Sequence, residues 1–141
     1  MTALAPPPLP AAARPGLPVK ENPPRLLAVV TGREDAVAVL DEAYASARET
    51  GREVHTALVL PRTPVTLDVA LLGRLGEEAE VEVEELVDLA TQRAAAAGLP
   101  VRITVHRLGG LRGRRRERVL DRAVARLARR LDAVPVGRSA P

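Results

Sequence analysis

The chain has 141 residues, 46% of them apolar and 28% charged, with a net charge of +3. That suits one domain with a real core and excludes two of ordinary size. Cysteine is absent, which excludes disulfides, thiolate zinc centres and cysteine nucleophiles. Aromatic residues amount to 1%, with Tyr44 standing alone, so the core must be built from Leu, Val and Ala with Ile103, and no platform exists for stacking bases.

Residues 1–24 contain eight of the thirteen prolines and no aliphatic periodicity. Such a segment buries too little apolar surface to offset its ordering entropy, and reads as a disordered, proline-rich tether. Pro6, Pro7 and Pro8 interrupt any secretory apolar core, and no stretch approaches the roughly 20 apolar residues of a membrane span. A soluble, cytoplasmic protein is expected.

The folded domain opens with RLLAVVT (25–31), an apolar run between Pro24 and Gly32, as expected of a strand buried on both faces. In the segment that follows, Ala36, Val37, Leu40, Ala43, Tyr44 and Ala47 fall at helical spacing, and Gly51 takes the place of a C-terminal cap. A second strand, REVHTALVLP (52–61), is closed by Pro61. Residues 62–76 carry no clear period.

A long helix is then expected from Glu77 to Ala97, with Val81, Leu86, Leu89, Ala90, Ala94 and Ala97 facing the core. The third strand, LPVRITVHRL (99–108), alternates, with Val101, Ile103 and Val105 on one side and Arg102, Thr104 and His106 on the other. After Gly109 and Gly110 a third helix covers about 114–131, and LDAVPVG supplies a fourth strand, in which Pro135 fits an edge. The order βαβαβαβ specifies a parallel sheet with right-handed crossovers.

Five stretches, in this order, resemble the universal stress protein family. They are RLLAVVTGRED, the helix ending ARETG, the strand ending ALVLP, RAAAAGLPVRITVHRLG, and ERVLDRAVARLARRLDAVPVG. The resemblance covers residues 25–138, leaving 139–141 as a tail. It implies a three-layer, Rossmann-like α/β fold with strand order 3-2-1-4. It also implies a crevice for ATP or another adenine nucleotide at the carboxyl ends of strands one and four. Thr31, Gly32, Val59 and Gly137 would line that crevice, with Arg138 on phosphate.

The chain departs from the family pattern where the ligand would sit. Members that bind ATP usually end the first strand with aspartate, whereas Thr31-Gly32-Arg33 stands here. The family's phosphate loop runs G-x-x-G and closes with G-S or G-T, so that backbone N–H groups reach phosphate at a helix N-terminus. Gly137-Arg138-Ser139 begins such a loop and the sequence stops at Pro141, before a fourth helix or fifth strand. A second alignment places Gly109, Gly110 and Gly113 on the phosphate loop, but Arg116-Glu117 replaces its closing pair. The expectation is therefore a regulatory or scaffolding domain whose nucleotide site is weak or lost. The fourth strand becomes an open edge for a homodimer or protein partner.

The third helix presents Arg114, Arg118, Arg122 and Arg126 four apart, with Arg115 beside them and Arg112 before the helix. These six define the alternative, a polyanion-binding module that would hold nucleic acid without sequence preference or an acidic partner. The ordinary counterpart is a solvated outer helix. From Glu77 to Asp88 the chain has acids and no bases; without histidine at metal-ligand spacing, this reads as a solvated helix start. In this order the acidic and arginine-rich helices can lie side by side and pair, within one molecule or across a dimer. His55 and His106 stand on separate strands and have no nucleophile at motif spacing; structural or surface roles are expected of them. No catalytic signature is present, and the chain does not read as an enzyme.

Overall fold

The computed structural model describes residues 24–62 and 69–136. The expectations for the N-terminal tether, and for Gly137 and Arg138, fall outside the described residues.

Strand β1 (Arg25–Val30) is buried from Leu26 onward and forms the centre of the sheet. It is followed by α1 (Arg33–Thr50), β2 (Val54–Pro61), α2 (Val69–Ala97), β3 (Ile103–Leu108), α3 (Arg116–Leu131) and β4 (Ala133–Val136). The strand order is β3-β2-β1-β4, as the family resemblance implied. All pairs are parallel: Leu26 faces Val54 in β2, Arg25 faces Ala133 in β4, and Thr56 faces Ile103 in β3.

The alternation of β1 sends Leu26, Ala28 and Val30 to one face, where they pack with Ala36, Leu40 and Ala43 of α1 and Leu86, Ala90 and Ala94 of α2. Leu27 and Val29 point the other way and pack with Leu120, Val124 and Leu127 of α3. Each fully buried Leu or Val contributes about 1.5–3 kcal/mol relative to its exposed state. Two buried layers on one short sheet therefore suffice without aromatic bulk. The one ring, Tyr44, lies within 3.4 Å of the hydroxyl of Thr56, a fully buried polar residue, and either oxygen can donate. Helix α1 ends at Gly51, whose φ of 73° lies in the left-handed region and lets its N–H reach the carbonyl of Ala47 at 2.8 Å.

Several details differ from the sequence-based expectation. The buried stripe of α1 is Ala36, Val39, Leu40, Ala43, Tyr44 and Ala47, while Val37 is 46% exposed. In α2 the phase passes through Val83, Leu86, Val87, Ala90 and Ala94, which leaves Val81 51% exposed. That helix begins at Val69 rather than Glu77: Gly73 and Gly76 lie inside it and face open space. Pairing of β3 starts at Ile103, so Val101 stands outside the strand, and Val105 is 42% exposed on a sheet edge. Helix α3 starts at Arg116 rather than Arg114.

The largest correction concerns the two charged helices. Helices α1 and α2 cover one face of the sheet and α3 covers the other. The crossover from β3 at one edge to β4 at the far side must span the sheet, and a right-handed span delivers α3 to the opposite face. The sheet stands between α2 and α3, so the acidic and arginine-rich helices do not pair within one molecule.

Candidate functional site

Thr31 and Gly32 form the turn between β1 and α1, and Val59 lies beside them near the end of β2, one step beyond the Val30–Leu58 pair. The structure thus brings these three residues to the carboxyl ends of the central strands. Val59 has no exposed surface, because it packs into the layer beneath α3. Strand β4 reaches Val136 opposite Ala28, and the remaining two residues expected in the crevice, Gly137 and Arg138, are outside the described chain.

The polar chemistry of the turn is dominated by Asp35, a residue that no ligand-binding motif in the sequence marks. Its carboxylate accepts the Thr31 hydroxyl proton at 2.6 Å, the Thr31 N–H at 3.1 and 3.2 Å, and the Gly32 N–H at 3.2 Å. Gly32 is the N-cap of α1 and Asp35 is the third residue of the helix, so this is the carboxylate half of a capping box. The signal was present in the spacing from Gly32 to Asp35. The carboxylate thus satisfies the Gly32 N–H, one of the four donors that a helix N-terminus leaves without an intrahelical partner. A carbon added at Gly32 would meet Oε1 of Glu34 at 2.7 Å, the movable end of a flexible side chain.

Beyond this turn, a cavity of about 520 Å³ lies between the first half of α2 and the ends of β2 and β3. Arg33, Arg107 and Arg112 meet Glu77, Glu78 and Glu82 along its walls. Arg107 acts as a strut there: Nη1 donates to the Pro61 carbonyl at 3.1 Å and Nη2 to the Ala79 carbonyl at 3.3 Å. Arg33 is bound to Glu85 of α2 through Nε, at 2.9 Å, and through Nη2. Three cations and three anions line this cavity, which gives it no single charge to offer a ligand.

On the opposite face of the sheet, Arg114, Arg115, Arg118, Arg122 and Arg126 are exposed; Arg112, exposed in the loop before them, belongs to the wall of the cavity beside α2. Leu120, Val124 and Leu127 anchor the reverse side of α3 in the core, so the cationic side is held outward by packing. Arg116 is tied to Glu117 at 3.2 Å. The helix ends at Asp132, whose φ of 52° turns the chain directly into β4.

His55 and His106, distant in sequence, converge on Thr104. Nε2 of His55 is 3.0 Å from the Thr104 hydroxyl, and Nε2 of His106 is 2.8 Å from the same oxygen. Burial, followed by the charges of His106, Arg25 and Arg102, lowers the pKa of His55 below its ordinary 6.5. Burial and the charge of Arg130 lower that of His106. Among the described residues no group of three or more His, Asp or Glu side chains is placed to hold a metal ion.

A four-stranded parallel sheet in the order 3-2-1-4, with helices on both faces, places this chain among the Rossmann-like α/β folds. Within that class it has a universal-stress-protein-like fold. A solved structure described as a protein from the universal stress protein family from Burkholderia pseudomallei superposes with a TM-score of 0.53 at 20% identity, over 77% of this chain and 74% of that one. No family model and no curated protein matches the chain. No helix among the described residues is long and apolar enough to cross a membrane.

Proposed function

We propose that this chain is a small, cytoplasmic, universal-stress-protein-like regulatory or scaffolding domain in which the adenine-nucleotide site is weak or lost. The observation that carries the reading is Asp35. Its carboxylate already takes up the Thr31 hydroxyl and the Thr31 and Gly32 N–H donors, the polar groups this turn would otherwise offer to an adenine or ribose. Thr31 itself carries no carboxylate with which to fix a ribose or adenine. Strand β4 is paired only with β1 among the described residues, and Val134 is 42% exposed. This edge suits a second copy or a protein partner, with Pro135 restricting uncontrolled strand addition.

The test is a calorimetric titration with ATP and Mg²⁺ on the wild type and on Thr31→Ala. Absence of heat up to millimolar ATP is the expected result. Micromolar binding that weakens in Thr31→Ala would establish a working site and overturn the reading.

The second reading, polyanion binding through α3, is favoured by the exposure of Arg118, Arg122 and Arg126 on one side of the helix, with the hydrophobic side locked into the sheet. It requires no intact nucleotide crevice, so the calorimetric result bears on it in neither direction.

A further inference from the structure

We propose that the arginine stripe of α3 and the His55–Thr104–His106 chain on the adjoining face of β2 and β3 form one surface for the phosphodiester backbone of duplex nucleic acid, with protons taken up at the histidines as the duplex binds. This rests on the polyanion reading and adds to it a second set of ligating groups and a chemical signature.

The two halves lie on the same face of the sheet. Ala57 and Val59 of β2 belong to the layer beneath α3. Thr104 is opposite Ala57, and His106 is opposite Val59, so both project to that face. His55 follows the same alternation in β2. The charge of Arg130, in the last turn of α3, acts on His106. Arg25 and Arg102 bear on His55 from β1 and from the approach to β3, and both are bridged to Glu53.

The hydroxyl of Thr104 explains how such a chain meets phosphate. A hydroxyl has one proton and two acceptor lone pairs. With one imidazole bare at Nε2, the hydroxyl donates to that ring and accepts from the other. With both rings protonated it accepts from both, and its own proton turns outward. That state offers two imidazolium rings and an O–H to a phosphate oxygen, and an arriving anion offsets the repulsion from Arg25, Arg102 and Arg130. The same cationic surroundings oppose a divalent metal at this pair of rings.

Three arguments single out duplex nucleic acid. Of Phe, Tyr and Trp the chain has only Tyr44, which is buried, so the large aromatic platforms on which single strands stack are missing from this surface. Neutralised phosphates release condensed counterions, a driving force that a folded acidic surface lacks. The acidic stripe Glu80, Glu84 and Asp88 of a second copy could meet the arginines only through exposed ion pairs, which water and salt screen to little net attraction.

The experiment measures the affinity of the whole chain for a mixed-sequence DNA duplex between pH 8 and pH 6 at fixed salt, for wild type, His106→Gln, His55→Gln, and Arg118→Gln with Arg122→Gln. Thermal melting of each variant confirms folding. The wild type is expected to gain about tenfold in affinity over this interval, the equivalent of one pKa unit at one site. Each histidine variant should lose much of that gain, while the double arginine variant should bind more weakly at every pH and keep it. With about four phosphates neutralised, affinity should fall roughly a hundredfold between about 50 and 200 mM salt. Full pH dependence retained in both histidine variants would overturn the proposal and leave the arginine reading standing. No duplex binding at low salt would overturn both. Low-salt self-association of the chain alone, abolished by Glu84→Lys, would assign the arginines to a second copy and also overturn the proposal.

Discussion

Removing the Asp35 carboxylate should destabilise the domain through a single turn. In Asp35→Ala the Thr31 N–H, the Thr31 hydroxyl and the Gly32 N–H all lose their acceptor. Loss of a helix-capping side chain ordinarily costs 0.5–2 kcal/mol, and hydrogen bonds to a charged acceptor lie at about 1.5–3 kcal/mol each. These figures do not add, since the turn is only half-buried and water replaces part of what is lost. The balance is about 2 kcal/mol, or a fall in melting temperature of about 10 °C for a domain of this size. Asp35→Asn retains one acceptor oxygen and should lose about half as much. Urea denaturation followed by far-ultraviolet circular dichroism, with both variants beside the wild type, measures the effect. A midpoint for Asp35→Ala within about 0.5 kcal/mol of wild type, the range of ordinary surface substitutions, would refute the argument. Packing beneath α1 would then be holding the turn.

Leu120 is fully buried beneath α3, and Leu120→Ala should cost about 2–5 kcal/mol in the same denaturation assay; a loss below about 1 kcal/mol would mean that α3 does not seal that face. Arg107→Gln should speed amide exchange in α2 up to about Ala79 more than in the segment from Leu86 to Ala97, because the strut to the Ala79 carbonyl is removed while the packed half keeps its contacts; uniform protection would contradict it. Stability should also decline in mild acid. His55 and His106 have folded pKa values below the ordinary 6.5, so the unfolded chain binds more protons and stability rises with pH. Their contribution is complete above about pH 6.5 and is lost as pH falls through the depressed folded values. Denaturation midpoints at pH 7.5 and 5.5 measure the difference, and replacing both histidines with glutamine should reduce it.

Some of this could be read directly from residue order. The run Leu26–Val30 has no polar break, so it could lie only in the middle of a sheet covered on both faces, and its position as the central strand agrees. The spacing of Leu120, Val124 and Leu127 marked the buried side of α3, because an i, i+4, i+7 pattern admits one inward face. Short-range period also set the arginines outward. Val37 and Val81 were misplaced because hydrophobicity alone does not distinguish neighbouring phases of a helix; contact with the sheet selects one. The extension of α2 back to Val69 was hidden by Gly73 and Gly76, each costing about 1 kcal/mol in isolation. Arg107 braces that first half from β3, a contact between residues far apart in sequence.

The chain's local chemistry determined its elements, their order and the parallel sheet, since periodicity and turn residues act over a few positions. Only the tertiary structure decided which charged helix lies on which face, and that Asp35 engages the donors of the β1–α1 turn. It also joined His55 to His106 through Thr104. Strand register and crossover hand set those relations, and both act between segments whose separation in sequence carries no record of their contact.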